Sequence, residues 1–326
     1  MFQQLLTISR NTFIESIRQP VFVVLLIAGT IFLWLNSQLA SYTLEDDNKM
    51  MIDLGLSMLL LIGLLLSAFS ATGVLSAEIE NRTVLTVVSK PVSRPVFVLG
   101  KFGGVAAALA IGYTAMVMTY LLTVRHEVLQ TASDQVDWPV LTFAALAFLI
   151  AVAIATTGNY LYNWVFTSSF IFLYAVLNTI AYLLVLVIAK GWQFQSITTE
   201  FTIHGGQLVQ LLIALLMLFE AIIVLSAVAI AASTRLGQVM TLVICIAVFL
   251  LGLVSDSIYH QYGDNFFAQL FYWLIPNLQY LWQADALTAG HSIPVCHLLL
   301  VSGYCVLYVA AMLFLSISLF QTREVG

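Results

Sequence analysis

The stretch from Leu54 to Lys101, LGLSMLLLIGLLLSAFSATGVLSAEIENRTVLTVVSKPVSRPVFVLGK, decides the fold because a long apolar run leads directly into a charged segment. Residues 54–77 carry no charge, and about 20 apolar residues are enough to cross about 30 Å of hydrocarbon as a helix. The segment that follows holds six of the 27 charged residues of the chain: Glu78, Glu80, Arg82, Lys90, Arg94 and Lys101. The pattern predicts a membrane-spanning helix followed by a loop in water.

Composition places most of the chain in lipid. Apolar residues make up 61% of the 326 residues and charged residues only 8%, whereas a soluble domain carries roughly 25% charge. A water-soluble core does not need so many apolar side chains. The sequence therefore predicts a polytopic membrane protein whose residues 1–326 form a single transmembrane domain.

Eight apolar runs are long enough to span a membrane. They are long and do not alternate, which favours an all-α fold over a barrel. The predicted spans are residues 21–42, 54–77, 97–123, 138–158, 164–189, 207–232, 237–257 and 294–320. The connection between the fourth and fifth spans carries no charge, so a re-entrant hairpin is the alternative to two full spans there.

Two further segments are predicted to lie at the membrane interface. Residues 1–19 form an amphipathic helical pattern, whose apolar face consists of Phe2, Leu5, Leu6, Phe13 and Ile17. Residues 258–293 are too interrupted to span, yet they are rich in aromatic rings, which favour the level of the lipid headgroups. We expect short interfacial helices around Pro276 and Asn277, with Trp273 and Trp282 among the aromatic residues.

The distribution of basic residues predicts that both termini are cytoplasmic. In that orientation the three bases on the outer side are Lys49, Arg125 and Lys190. The eight on the inner side are Arg10, Arg18, Arg82, Lys90, Arg94, Lys101, Arg235 and Arg323. Residues 78–96, which make up most of the charged segment from Glu78 to Lys101, then form a cytoplasmic loop that couples to a partner.

Sequence motifs for catalysis are absent. The nearest approach to a phosphate-binding loop, at Gly100 and Lys101, lacks the required spacing and hydroxyl. The histidines and the three cysteines have no spacing typical of metal ligands or of a catalytic triad. We therefore expect no enzymatic activity, no metal and no cofactor in this chain, and no nucleic-acid partner.

The charged segment resembles the first cytoplasmic loop of the permease subunits of bacterial type 2 ATP-binding-cassette (ABC) transporters. The shared features are an E-x-E, an R-T, an S-K-P-V-x-R and a G-K, which here are Glu78 and Glu80, Arg82 and Thr83, Ser89 to Arg94, and Gly100 and Lys101. Two shorter motifs are also similar: Ser233-Thr234-Arg235 after a span that carries Glu220, and Pro276-Asn277 before the last span. A typical member has six spans, so residues 125–206 would add a hairpin.

The resemblance implies a half-transporter of the bacterial inner membrane that pairs with a second copy or a related permease. It also implies separate ABC ATPase subunits, which bind ATP and Mg, and a tendency towards export. The residues that would contact or couple to the ATPase are Glu78, Glu80, Arg82, Thr83, Lys90, Pro91, Arg94, Lys101 and Arg235. Pro276, Asn277, Trp273 and Trp282 would belong to an outer gate.

The chemistry of the loop is compatible with docking, although a simpler role is open. Acids come early and bases late in the segment, which gives a bipolar element that can pair with a charged cleft. Pro91 disfavours helix at the residue before it, so a short helix would end near Lys90. The alternative is that these charges only hold the loop in water.

Glu220 lies near the middle of a predicted span, where a carboxylate costs about 2.5–3.5 kcal/mol on insertion scales. It would either line a transport path or form a structural hydrogen bond with Ser, Thr or Tyr of a neighbouring helix; the second is favoured. Two other functions remain open: a secondary transporter or channel without an ATPase, and a membrane scaffold that transports nothing.

Overall fold

A computed structural model of the protein describes residues 1–39, 47–80, 93–128, 135–202, 207–262 and 265–321. The side chains of residues 39, 74–80, 199, 200 and 202 lie outside this description. The described part of the chain is an all-α bundle without a β-sheet. The predicted fold class is therefore confirmed.

The helices follow the apolar runs of the sequence. Near the N-terminus and in the first half of the bundle they are α1 (Phe2–Arg18), α2 (Pro20–Leu39), α3 (Asp47–Glu80), α4 (Arg94–His126), α5 (Trp138–Tyr162) and α6 (Phe166–Val187). In the second half they are α7 (Ile197–Thr202), α8 (Gln207–Ser233), α9 (Gln238–Tyr262), α10 (Phe266–Leu274), a 3-10 turn (Gln279–Leu281), α11 (Ala284–Thr288) and α12 (Val295–Gln321).

Eight helices of the described chain are long and apolar enough to cross a membrane, namely α2 to α6, α8, α9 and α12. The chain is a multi-pass membrane protein, as predicted. The helices α5 and α6 have 25 and 22 residues and are both long enough to span, which favours the full hairpin over the re-entrant alternative. They are joined at Asn163, which adopts a left-handed backbone conformation with φ of 54°.

Three helices form the centre of the bundle, and three others lie at its edge. Buried residues make up 67% of the most apolar window of α4 and of α8, and 56% of that of α3. The corresponding shares are 22% for α5 and α9 and 17% for α12. The peripheral helices expose apolar side chains, which suits contact with lipid or with another membrane protein.

Hydrogen bonds between spans connect the core. Tyr174 of α6 shares its hydroxyl with Thr119 of α4 at 2.9 Å and with Thr30 of α2 at 3.3 Å. The Asn178 amide donates to Thr119 at 2.8 Å, and the Asn36 amide donates to the Met51 carbonyl at 2.8 Å. Both asparagines therefore connect neighbouring helices, which is the usual way to satisfy a polar side chain inside a membrane.

The N-terminal helix has close to the predicted extent, and it packs against the bundle through a face that the sequence analysis did not predict. Thr12, Ser16 and Ile17 are buried against the bundle, whereas Phe2 and Leu6 are exposed. The glycines of α4 allow a close approach, because Ile8 lies against Gly100, Ser9 against Gly103, and Ser9 and Thr12 against Gly104. The exposed apolar residues remain available to lipid.

Candidate functional site

The charged segment is described at its two ends only. The backbone of Glu78 and Glu80 forms the last turn of α3, and Arg94 begins α4. Arg82, Thr83, Lys90 and Pro91 lie outside the described residues, and so does the expected helix end before Pro91. Their proposed contacts with an ATPase stay predictions.

Arg94 connects the start of α4 to the end of α12. Its guanidinium Nη1 donates to the carbonyl oxygen of Phe320 at 3.0 Å and also to that of Gln321. The guanidinium carbon lies 5.8 Å from the centre of the Phe320 ring, within the range of a cation–π contact. A cation at the C-terminal end of a helix also interacts favourably with the helix dipole. Arg94 is therefore oriented towards its own chain.

Lys101 is buried between α4 and α1. Its Nζ lies 3.5 Å from Oε2 of Glu15 and 5.6 Å from the centre of the Phe97 ring, and its side chain is 5% exposed. A buried charge is stable only when it is paired. The contact with Glu15 thus ties the base of α4 to the N-terminal helix.

Arg235 lies in the short turn between α8 and α9. It is exposed, while the two preceding residues, Ser233 and Thr234, are buried and donate to carbonyl oxygens of the last turn of α8 at 2.9 and 2.7 Å. Because the spans alternate in direction, this turn lies at the same end of the bundle as Arg94. Arg235 is therefore an exposed base at the end of the bundle where the charged segment lies.

Glu220 lies in the middle of α8 and faces α12. Ser302 donates from Oγ to Oε1 of Glu220 at 2.7 Å, and Cys305 lies beside the same carboxyl group. The side chain is half-buried. This is the interhelical hydrogen bond expected of a structural role, and it leaves the transport role untested.

The Pro276-Asn277 motif packs on the half of α9 that is remote from the charged segment. A Cβ atom added at Gly252 would lie 2.6 Å from the carbonyl oxygen of Pro276, so only glycine permits this approach. Leu278 donates its N–H to the Gly252 carbonyl at 3.1 Å, and the N–H of Asn277 donates to the Tyr304 hydroxyl at 2.9 Å. The motif therefore joins α9 to α12.

Asp256 is the centre of a polar cluster that the sequence did not reveal. Its Oδ1 accepts from Nδ2 of Asn277 at 3.2 Å and from the Tyr280 hydroxyl at 3.3 Å, and its Oδ2 lies 3.5 Å from Nε2 of His260.

Tyr272 shares a hydrogen bond of 2.9 Å with Tyr280 and stacks on Tyr259. That hydrogen bond, burial and the nearby Asp256 carboxylate all raise the pKa of Tyr280 above its ordinary value.

The two predicted gate tryptophans have different environments. Trp273 is 82% exposed on an apolar face of α10, whereas Trp282 is half-buried and packs against the core. The exposed face also includes Phe266 and Phe267. This face suits contact with the headgroup level of a membrane, whereas Trp282 packs against the bundle.

A cavity of about 460 Å³ lies at the end of the bundle opposite the charged segment. Two ion pairs border it: Lys190 Nζ lies 2.6 Å from Oε2 of Glu127, and Arg125 Nη1 lies 3.3 Å from Oδ2 of Asp137. The sequence did not predict this site, because the paired residues come from different helices and loops. Charged residues placed just after apolar runs were the only available hint.

No protein-family model matches this chain, and no curated protein matches it at a significant level. The fold defines the class as an all-helical, multi-pass membrane protein. A more specific function has to be argued from the contacts described above.

Proposed function

We propose that this chain is the transmembrane permease subunit of an ATP-binding-cassette transporter, an exporter of the bacterial inner membrane whose ATP is hydrolysed on separate subunits. The observation that carries the proposal is the unusual length of the two helices that flank the charged segment. The two flanking helices, α3 and α4, have 34 and 33 residues, more than any other described helix. At 1.5 Å per residue each is about 50 Å long, so both extend beyond about 30 Å of hydrocarbon.

Two contacts support transmission of a displacement from this segment into the bundle. Arg94 holds the end of α12, and Lys101 holds α1 through Glu15. A force on the start of α4 would therefore act on both ends of the chain at once. In this proposal Arg94 and Lys101 position the coupling element, while Glu80, Arg82 and Lys90 contact the ATPase.

The sparsely buried helices α9 and α12 support pairing with a second permease. Both expose large apolar side chains, for example Val239 at 73% and Leu307 at 73%. A second copy or a related chain would cover part of this surface, and lipid would cover the rest. ATP and Mg would bind only to the partner ATPase subunits.

The test is affinity purification of the detergent-solubilised protein at native expression, followed by mass spectrometry. We expect an ABC ATPase near one copy per permease, and we expect the double variant Glu80→Ala/Arg82→Ala to lose it. The matched control is Lys49→Ala/Asp285→Ala, which removes one base and one acid from the opposite end of the bundle. The control should retain the ATPase.

Absence of an ATPase from the wild-type protein under mild conditions would rule out the proposal. An ATPase that is retained by both double variants would instead exclude the charged segment as its docking site. In the first case two candidates remain, a transporter or channel without an ATPase and a membrane scaffold that transports nothing; Glu220 is the residue to test for ion coupling in the transporter.

A further inference from the structure

The cavity at the outer end of the bundle has an apolar interior and a polar rim. Its deepest lining residues are Met51, Leu121 and Leu211, all of which are less than 5% exposed. The rim includes Arg125, whose side chain is 15% exposed, and the partly exposed pair of Lys190 and Glu127, at 32% and 39%. The volume of about 460 Å³ lies within the range of about 300–1,000 Å³ that is typical of small-molecule sites.

The rim positions two cations beside this interior. Arg125 is held by Asp137, which is fully buried and also accepts from the N–H of Val140 at the start of α5. Lys190 is presented by a short hairpin after α6, in which the backbone N–H of Ala189 donates to the Gln193 carbonyl at 2.8 Å. Both cations are thus fixed by carboxylates from other segments of the chain.

The residues at the rim of the cavity indicate the charge of the group that would bind there. Among the described residues that line the cavity, Arg125 and Lys190 are basic and Glu127 is acidic, while the carboxylate paired with Arg125, that of Asp137, is fully buried outside the lining. Bases therefore outnumber acids on the described wall, which favours a head group with negative charge. Guanidinium and ammonium groups make short, strong hydrogen bonds with carboxylate and phosphate oxygens. Asn48, Gln195 and Gln207 add neutral hydrogen-bonding groups to the same lining.

We propose that this cavity binds an amphiphile whose acidic head group lies at Lys190 and Arg125 and whose apolar chain lies along Met51, Leu121 and Leu211. The acidic head group is either the phosphate of a membrane lipid or the carboxylate of a free fatty acid. The site belongs to a single chain, so the proposal does not depend on an ATPase partner.

The experiment is a binding titration on the full-length chain in a neutral maltoside detergent. Tritiated palmitate and a tritiated lysophosphatidic acid are titrated separately, and methyl palmitate serves as an unlabelled competitor without charge. We expect saturable binding of at least one acidic probe and no displacement by the ester. The tighter of the two probes identifies the source as a free fatty acid or a membrane lipid.

Three variants locate the binding site. Lys190→Gln should weaken binding of the acidic probe about tenfold, as expected for the loss of one charge-assisted hydrogen bond. Lys49→Gln, at the same end of the bundle but outside the cavity lining, should leave the affinity unchanged. Leu208→Trp should fill the cavity and abolish binding.

Lack of saturable binding by both acidic probes would overturn the proposal. The same holds if the methyl ester competes as well as the acids, or if Lys49→Gln weakens binding as much as Lys190→Gln. If Leu208→Trp does not yield folded protein, the comparison of the two lysine variants still decides the outcome.

Discussion

At the scale of single residues, three of the scarce charges identified from the sequence have partners within the chain. Arg94 bonds to the end of α12, Lys101 pairs with Glu15, and Glu220 accepts from Ser302. Arg94, Lys101 and Glu220 were all candidates from the sequence. The sequence could not identify their partners, which are 82 or more positions away in all three pairs.

The bond between Ser302 and Glu220 gives the first prediction. Ser302→Ala should lower the free energy of unfolding by about 0.6–1.7 kcal/mol, the range found for hydrogen bonds between membrane helices. Glu220→Gln should cost less, because the amide oxygen still accepts from Ser302. Chemical unfolding of the purified protein in detergent measures both effects.

Ser316 provides the matched control for Ser302. It lies on the same helix, is fully buried, and its hydroxyl has no hydrogen-bond partner among the described residues. Ser316→Ala should therefore be close to neutral. Equal destabilisation by the two serine variants would contradict a specific role for the bond to Glu220.

Tyr280 gives a prediction about pH. Its pKa is raised above the ordinary value of 10.0 by the bond to Tyr272, by burial and by Asp256. A raised pKa means that the folded state holds the proton more tightly, so this contribution is complete below pH 10 and is lost as the pH rises above it. Tyr280→Phe should reduce the fall in unfolding temperature between pH 9 and pH 11, measured by thermal shift.

Tyr262 is the control for this prediction. It lies at the same end of the bundle and is 57% exposed. Tyr262→Phe should leave the alkaline loss of stability unchanged. A pH profile of the Tyr280 variant that coincides with that of the wild type would exclude the cluster around Asp256 as the cause.

At the scale of elements, the sequence predicted where helices lie better than which faces they bury. The spacing of apolar residues predicted helix α1 and an apolar face suited to the membrane interface, but it did not predict that Thr12 and Ser16 are buried against the bundle. The deciding feature is on α4, where Gly100, Gly103 and Gly104 form a surface without side chains. Close approach of helices through such small residues is typical of membrane proteins, but a single sequence does not reveal which partner uses it.

Gly104→Ala should detach α1 from α4. A Cβ atom at this position would lie 2.5 Å from the Ser9 carbonyl oxygen and 2.5 Å from Cβ of Thr12, so the helices must separate. Overpacking of this kind costs about 1–3 kcal/mol. We expect faster hydrogen exchange throughout residues 5–17, measured by mass spectrometry.

The corresponding control is Gly303→Ala in α12. A Cβ atom there would meet no atom of the described residues within 4 Å, and alanine is also the better helix former. This variant should leave exchange in α1 unchanged. Unaltered exchange in the Gly104 variant as well would show that the contact between α1 and α4 tolerates a methyl group, contrary to the expectation.

At the scale of the whole molecule, hydropathy was sufficient to predict eight spans, because lipid requires long apolar helices with internal hydrogen bonds. The cavity beside Lys190 and the cluster around Asp256 were not predictable in this way. Both depend on contacts between segments that are distant in sequence, such as Lys190 and Glu127, or Asp256 and Asn277. Tertiary packing decides such contacts.

The orientation of the bundle is the prediction on which the proposed function depends most. In the described part of the chain, five bases lie at the end with the charged segment: Arg10, Arg18, Arg94, Lys101 and Arg235. Three lie at the other end: Lys49, Arg125 and Lys190. An excess of bases favours the cytoplasmic side, so the charged segment should face the cytoplasm, where an ATPase can bind it.

Two matched glutamine positions test this orientation. Gln238, at the start of α9, and Gln193, in the hairpin after α6, are both exposed and lie at opposite ends of the bundle. Each is changed to Cys after replacement of Cys245, Cys296 and Cys305, and spheroplasts are treated with a membrane-impermeant maleimide. Gln193→Cys should be labelled in intact spheroplasts, and Gln238→Cys only after permeabilisation. The reverse pattern would place the charged segment outside the cell, where no ATP-driven subunit could dock, and would remove the physical basis for an ABC permease.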